Sequence, residues 1–395
     1  EVQSWGTDGS IATFEALPTD RLFRDDADPQ FVTDPVLLDS AGQQAAHWNA
    51  EDSSSGFNFF PYRFDELRIY GPPVSAPEQV ESHLRIKKLS DGQYSSDITL
   101  VDSSGRVRFE LIAWEDREFE LPEAIYGIRY GAPEIKLGRE WPELAKKSGL
   151  EENCECRIVD EFSRALLLGH GRLWLKVLAY QILSRREREF WHTSTMTDQR
   201  RLQWLIGRAA AKEAVRQLLK RQHGIMLCPA DIEIDTTPEG KPIAKKGLAG
   251  FEKPPAISIA HTGETAVAIA VEAMEGLEVG IDIERLRPVD EDFLSASFGE
   301  EEQLVLSSVS DAERRELVIR LWCAKEAAGK ALGTGLRGDP TSFEIRSYDP
   351  ETGSVEVAVA GSLGDRIPSV ARVAVRVTTM VAGDLVAAVA VHRGS

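Results

Sequence analysis

The sequence predicts an α+β chain with two separate folding units, and three observations carry that prediction. Residues 84–89, 94–101 and 107–114 are apolar-rich runs separated by Asp91-Gly92 and by Asp102-Ser103-Ser104-Gly105, so they read as strand, turn, strand, turn, strand. Residues 199–222 and 314–332 read as long helices set among short apolar strands at 257–261, 267–271 and 279–284. Between these regions, residues 123–152 read as a linker: Gly127, Gly131, Pro133, Gly138, Pro142 and Gly149 interrupt them and their charges follow no period. The expected organisation is therefore a first domain at 1–122, a linker at 123–152 and a second domain at 153–395. A chain of 395 residues with 42% hydrophobic content has enough apolar surface for two or three cores.

Composition narrows the function classes. A formal net charge of −18 argues against nucleic acid as the main partner. The opening EVQSWGTDGS has neither a basic nor an apolar region, and the apolar tract 380–391 is broken by Gly383 and Asp384, so no signal segment and no membrane span is expected. Cys154, Cys156, Cys228 and Cys323 make no disulfide framework, and a C-E-C without a second pair is a poor zinc site, so reduced thiols in a cytoplasmic protein are expected. No internal repeat or low-complexity tract stands out.

In the first domain, Val107, Phe109 and Leu111 alternate with Arg106, Arg108 and Glu110, the pattern of a strand with one buried and one wet face. Upstream, DPVLLDSAGQ at 34–43 places Asp39 and Gln43 on one face of a short helix. In the second domain, Leu183-Ser184 leads into a charged helix from Arg185. Asp198 then caps the long helix 199–222, which His223-Gly224 ends. On it Arg208, Lys212 and Arg216 recur at i, i+4 and i+8 as a basic stripe opposite Leu205 and Ala209, which by itself reads as a solvated face. A Gly240-Lys241-Pro242 turn follows, then ISIAHTG at 257–263, where His261 closes an alternating strand.

Two stretches carry chemistry. In VGIDIE, 279–284, Asp282 and Glu284 share one face while Val279, Ile281 and Ile283 point into a core. Adjacent carboxylates repel unless a cation joins them. In WCAKEAAGK, 322–330, Trp322, Glu326 and Lys330 share one helical stripe, and Gly333-Thr334-Gly335 stops the helix. An isolated E-x-x-x-K is an ordinary salt bridge worth about 0.2–0.5 kcal/mol. Magnesium takes hard oxygen ligands, and Asp282, Glu284 and Glu326 with a pyrophosphate make a sensible set for it. Residues 333–338 fit G-x-G-x-x-G, but they follow a helix, whereas a dinucleotide fingerprint follows a strand and opens a helix.

Taken in order, the two stretches resemble the signatures (I/V)-G-(I/V)-D and (F/W)-(S/C/T)-x-K-E-(A/S)-x-x-K of the surfactin-type 4′-phosphopantetheinyl transferases, matching at every fixed position. The resemblance implies two similar, pseudo-symmetric α/β lobes and magnesium-dependent transfer of 4′-phosphopantetheine from coenzyme A, as co-substrate, to a serine of an acyl carrier protein domain, releasing adenosine 3′,5′-bisphosphate. It implies Asp282, Glu284 and Glu326 as metal ligands, Glu326 or a metal-bound water as base, and Lys325 and Lys330 on the phosphates. It further implies Arg208, with Lys212 second, on the coenzyme's 3′-phosphate, the Gly240-Lys241-Pro242 loop at the nucleotide, and His261 and Thr262 at its phosphates. Ala260 stands where many members have Ser, which removes a hydroxyl donor.

Residues 34–43 with FPYRFDELRIYGPP at 60–73 resemble the second half of the double hot-dog dehydratase domain of polyketide synthases, whose D-x-x-x-Q motif is Asp39 and Gln43 here. That implies Asp39 as the acid of an incomplete site, since the partner histidine belongs to a first hot-dog and no His in an H-x-x-x-G-x-x-x-x-P setting precedes Asp39. Together the resemblances imply the C-terminal part of an iterative type I polyketide synthase, such as an enediyne type, with the rest of that polypeptide as partner. Two other readings compete: a dehydratase fragment whose transferase-like domain is mainly structural, and a non-catalytic docking module. The intact carboxylates and lysines of both signatures favour an active transferase.

Overall fold

The structure, a computed structural model, describes residues 1–20, 22–23, 26, 28–52, 59–118, 122, 125, 136–150, 152–245, 253–336, 339–360 and 373–394. The chain divides into two units, Glu1–Pro122 and Glu123–Ser395.

In the first unit, strands β1 (Val2–Gly6) and β2 (Gly9–Glu15) precede helix α1 (Pro35–Asp52), and β3 (Phe59–Arg63), β4 (Glu66–Ile69), β5 (Gln79–Ser90), β6 (Gln93–Asp102) and β7 (Val107–Glu118) follow it. They form an antiparallel sheet in the order β1-β2-β5-β6-β7-β3, with β4 also on β7. Asp34 starts α1 by accepting the amides of Val36 and Leu37 at 2.8 and 3.0 Å. Leu37, Ala41, Ala45 and Trp48 recur at helical spacing and bury one stripe of α1 against Leu84, Ile98, Leu100, Phe109 and Leu111 of the sheet. Gly42 lets helix and sheet meet: a Cβ there would stand 2.8 Å from the Trp114 ring. A long helix embraced by an antiparallel sheet is the hot-dog arrangement. Val107, expected inside, is exposed because it opens its strand beside the turn.

The second unit repeats one topology. Strand β8 (Arg139–Glu140) and helix α2 (Pro142–Ser148) lead into a first lobe of β9 (Cys154–Val159), α3 (Arg164–Leu168), α4 (Leu173–Ile182), α5 (Arg185–Thr193), α6 (Asp198–His223), β10 (Ile234–Thr236), β11 (Pro242–Ala244), β12 (Ala256–Thr262) and β13 (Thr265–Val271). A second lobe follows: β14 (Leu277–Arg285), α7 (Glu291–Ser297), α8 (Glu300–Ser307), α9 (Asp311–Ala331), β15 (Phe343–Asp349), β16 (Ser354–Val359), β17 (Ala374–Ala382) and β18 (Leu385–Arg393). The sheets run β10-β11-β12-β13-β9-β8 and β15-β16-β17-β18-β14, so in each lobe the strand before the helices pairs with the last strand after them. Val279, Ile281 and Ile283 point into a core shared with Val267, Ile269 and Val271 of the first lobe. This is the pseudo-symmetric pair of α/β lobes that the resemblance implies.

One expectation is corrected. The stretch read as linker belongs in part to the second unit: β8 pairs with β9, and Trp141, Leu144, Ala145 and Leu150 lie in the core just described. Pro142 and Gly149, read as interruptions, are the first-turn proline and the left-handed cap of α2, with Gly149 at φ 69°. Residues 126–135 of that stretch lie outside the described residues. Among the described residues the four cysteines form no disulfide and no helix is long and apolar enough to cross a membrane.

Candidate functional site

The second signature helix lies directly on the first signature strand. Gly280 of β14 faces the backbone of α9, where an added Cβ would stand 1.9 Å from the Ala327 carbonyl oxygen. Only a residue without a Cβ permits that approach, which brings the β14 carboxylates beside the α9 stripe. Asp282, Glu284, Trp322, Glu326 and Lys330 then line one cavity of about 680 Å³. The first lobe completes its wall with Arg208 of α6, His261 of β12, Gly240 of the turn before β11, and Pro242, which opens β11.

Lys330 Nζ donates to Asp282 Oδ1 at 2.7 Å and to the Ile281 carbonyl at 3.0 Å. The other Asp282 oxygen, Oδ2, is buried and has no hydrogen-bond partner. Thr262 Oγ1 donates to Glu284 Oε2 at 3.1 Å, so this hydroxyl orients a carboxylate. Burial, and then the Asp282 charge, push the carboxyls of both Glu284 and Glu326 above the usual glutamate value. Burial lowers His261, and the charges of Lys330 and Arg200 add to the effect, so its imidazole is held neutral at pH 7.

These observations fit a divalent cation. Three carboxylates crowd one cavity, two of them hold protons more tightly than usual, and a buried carboxylate oxygen lacks a donor. Among the described residues, no three His, Cys, Asp or Glu side chains stand in a ready ligand arrangement, and the Lys330 ammonium supplies the positive charge at Asp282. The group has the donor chemistry for magnesium, with Asp282, Glu284 and Glu326 as the residues that would hold it.

Arg208 lies on the cavity wall, 8% exposed, with Nη2 donating to Thr236 Oγ1 at 3.0 Å and its guanidinium 4.7 Å over the Trp204 ring. The remainder of the expected basic stripe is not on that wall. Lys212 is fully buried, donating to the carbonyls of Ile182 and Pro229 and to Glu187 Oε2. Arg216 is bound to the Leu227 carbonyl and to Glu213. The stripe is thus covered by protein, and Lys212 is corrected from phosphate ligand to internal tie. Lys325 is corrected in the same way: wholly buried, it donates to the Ser297 and Pro340 carbonyls and to Glu302 Oε2, away from the cavity. Lys241 pairs with Glu278 and lines a small neighbouring pocket of about 130 Å³ together with Lys330 and Ser258.

Sequence reasoning missed Arg200, Gln203, Trp204 and Phe190 on the cavity wall. Arg200, Trp204 and Arg208 follow one another at i, i+4 and i+8, so the signal was present, but the stripe was traced toward the C-terminus of α6 rather than toward its start. In the first unit, Asp39 is exposed on α1 and accepts from Gln43 Nε2 at 2.6 Å, which bears out only the pairing expected from their spacing.

Residues 278–390 match the 4′-phosphopantetheinyl transferase superfamily model, and residues 1–115 match the model described as polyketide synthase dehydratase N-terminal domain. That second description names an N-terminal domain, whereas the D-x-x-x-Q motif reads as the second hot-dog. Among curated relatives, the 4′-phosphopantetheinyl transferase HetI of Nostoc sp. is 30% identical over 40% of this chain and 65% of its own length. The 4′-phosphopantetheinyl transferase Sfp of Bacillus subtilis is 28% identical over 36% and 59%. The L-aminoadipate-semialdehyde dehydrogenase-phosphopantetheinyl transferase of Schizosaccharomyces pombe is 28% identical over 34% and 57%. The chain spans less than two thirds of the length of each of these relatives.

Proposed function

We propose that the second unit transfers 4′-phosphopantetheine from coenzyme A to a serine of an acyl carrier protein domain, in the setting of a polyketide synthase, and that it does so with magnesium. The observation that carries this reading is the convergence of Arg208 and His261 from one lobe with Asp282, Glu284, Glu326 and Lys330 from the other on a single cavity. Cations that would grip phosphates and carboxylates that would hold a metal are needed together for phosphoryl chemistry.

In this reading Arg208 binds the 3′-phosphate, its guanidinium steadied over Trp204. Lys330, fixed by Asp282 and the Ile281 carbonyl, presents positive charge to the diphosphate. The serine Oγ–P bond forms as the bond from that phosphorus to the nucleotide's 5′-phosphate oxygen breaks, and the serine proton leaves to Glu326 or to water. Burial and the Asp282 charge raise the Glu326 carboxyl in the metal-free chain. A cation bound to it would weaken it as a base, so its free oxygen or a metal-polarised water would take the proton. A magnesium ion held by Asp282, Glu284 and Glu326 would neutralise charge on the diphosphate. Neutral His261 is suited to donate a hydrogen bond to a phosphate oxygen without adding charge.

The test is the intact mass of an apo carrier protein incubated with this chain, coenzyme A and magnesium. A gain equal to phosphopantetheine is expected, and an unchanged mass in the presence of folded chain overturns the reading.

A further inference from the structure

The two lobes share a buried fastening as well as a topology. In the first lobe the Lys212 ammonium spends its donors on the Ile182 carbonyl at 2.8 Å, Glu187 Oε2 at 2.5 Å and the Pro229 carbonyl at 3.1 Å. In the second, Lys325 spends its donors on the Ser297 carbonyl at 2.9 Å, Glu302 Oε2 at 2.7 Å and the Pro340 carbonyl at 3.3 Å. Each glutamate also caps the helix it belongs to, accepting the amide of Ser184 or of Gly299 at 2.8 Å. With its other oxygen each accepts a strand amide, Ile234 at 3.2 Å or Ile345 at 2.8 Å. The offsets correspond: Ile182 and Ser184 precede Glu187 as Ser297 and Gly299 precede Glu302, and Pro229 precedes Ile234 as Pro340 precedes Ile345.

A short sequence repeat, which does not stand out until the two lobes are aligned by topology, underlies this fastening. Ala211-Lys212-Glu213-Ala214 recurs as Ala324-Lys325-Glu326-Ala327, and Pro229-x-x-Ile-Glu-Ile recurs as Pro340-x-x-Phe-Glu-Ile. The copies have diverged beside the lysine. Glu213, the counterpart of Glu326, is fully buried and held by Arg216 and Gln217, whereas Glu326 faces the cavity.

We infer that Lys325 and Lys212 are equivalent positioning residues, each clamping the long helix of its lobe to a capped helix and a strand so that Glu326 in one lobe and Arg208 in the other face the cavity. A buried ion pair adds little net stability over apolar packing, but an ammonium with three fixed acceptors permits only one rotation and one height of its helix. Lys325 adjoins Glu326 in sequence, and Lys212 follows Arg208 by one turn while Glu187 also lies 3.9 Å from the Arg208 guanidinium. The roles of Glu326 and Arg208 used here rest on the proposed transfer reaction.

The full chain is compared with Lys325→Met, Lys325→Arg, Lys325→Met/Glu302→Gln, and the matching changes at Lys212 and Glu187. Two readouts are taken: transfer kinetics with apo carrier and coenzyme A, and amide hydrogen exchange of peptides spanning 343–349 and 234–236. Lys325→Met should lower kcat by about tenfold or more with KM for coenzyme A within about threefold, whereas Lys212→Met should do the reverse. Exchange should quicken at 343–349 in the first case and at 234–236 in the second. Arginine should not restore function, because its planar fork cannot meet three acceptors set for an ammonium, and the double variants should recover much of the loss. Activity kept by Lys325→Arg, or lost by Lys325→Met with unchanged exchange, would make Lys325 a substrate ligand and overturn the inference. Should Lys325→Met fail to fold, the double variant decides: folding with near-native kcat supports positioning, and folding without transfer refutes it. If the native chain transfers nothing, the reaction reading fails, while the exchange arm still decides whether the clamps hold the strands.

Discussion

Gly280 of β14 and Ala327 of α9 approach so closely that a Cβ on Gly280 would stand 1.9 Å from the Ala327 carbonyl oxygen. The same Cβ would meet the Ala331 amide nitrogen at 2.6 Å, so the helix cannot yield at one atom alone. Gly280→Ala is therefore expected to push α9 away from β14, costing about 3 kcal/mol of stability. It should also separate Glu326 from Asp282 and lower transfer in the molecules that remain folded. Denaturant unfolding and kcat on the same preparation check both effects.

The carboxylates predict opposed effects on stability and activity. The carboxyl of Glu326 holds its proton above the ordinary value of 4.5, so the stability it lends is complete below that value and is lost as pH rises through the raised one. In metal-free buffer at neutral pH, Glu326→Gln should melt at a higher temperature than the native chain. With magnesium and coenzyme A present it should transfer more slowly by about two orders of magnitude or more, as should Asp282→Asn and Glu284→Gln. Chelator should mimic these losses. Full activity of Asp282→Asn in excess chelator would remove the metal from this site.

Arg208 tests the coenzyme's orientation. If its guanidinium grips the 3′-phosphate, Arg208→Ala raises KM for coenzyme A by about tenfold or more and leaves KM for 3′-dephospho-coenzyme A almost unchanged. Equal increases for both would move that phosphate to another cation, and Arg200, on the same wall, would be the next to replace.

In the first unit, Asp116 is 1% exposed, with Trp114 Nε1 donating to it and Asn49 close by. Burial raises its carboxyl from 3.8 to about 6. The stability this group lends is complete below 3.8 and disappears as pH rises through about 6, a swing of roughly 3 kcal/mol. The first unit should thus stabilise on acidification from pH 7 to pH 5, and Asp116→Asn should flatten that dependence in thermal unfolding of the full chain.

The boundary between the units is testable by truncation. A chain beginning at Glu123 keeps β8 and α2. One beginning at Leu150 loses Trp141 and Leu144, which are 4% and 0% exposed, and should lose about 5 kcal/mol of stability. Equal unfolding midpoints for the two chains would return residues 139–150 to the status of a linker.

Periodicity determined much of this protein by itself. Alternation places Asp282 and Glu284 opposite Val279, Ile281 and Ile283, and a four-residue step places Trp322, Glu326 and Lys330 on one stripe, because both follow from backbone geometry within a single element. Turn chemistry likewise marked the strands of the first unit and the C-terminal ends of the long helices, whereas the start of α6 is capped by Thr197, which accepts the Arg200 amide, and not by Asp198, which lies in the first turn. Periodicity says which side chains share a face and nothing of what covers that face. By periodicity Lys212 reads as part of a solvated face, and the resemblance implies phosphate roles for both Lys212 and Lys325; the carbonyls of Ile182, Pro229, Ser297 and Pro340, all remote in sequence, enclose them instead. Trp204 and Arg200 became cavity residues only when β12 was laid against α6 and side chains of β14 lined the same cavity. Residues 139–150 became core only when β9 supplied their partner. Which charges meet solvent, substrate or carbonyl oxygen is decided by contacts between elements, and tertiary packing alone specifies those.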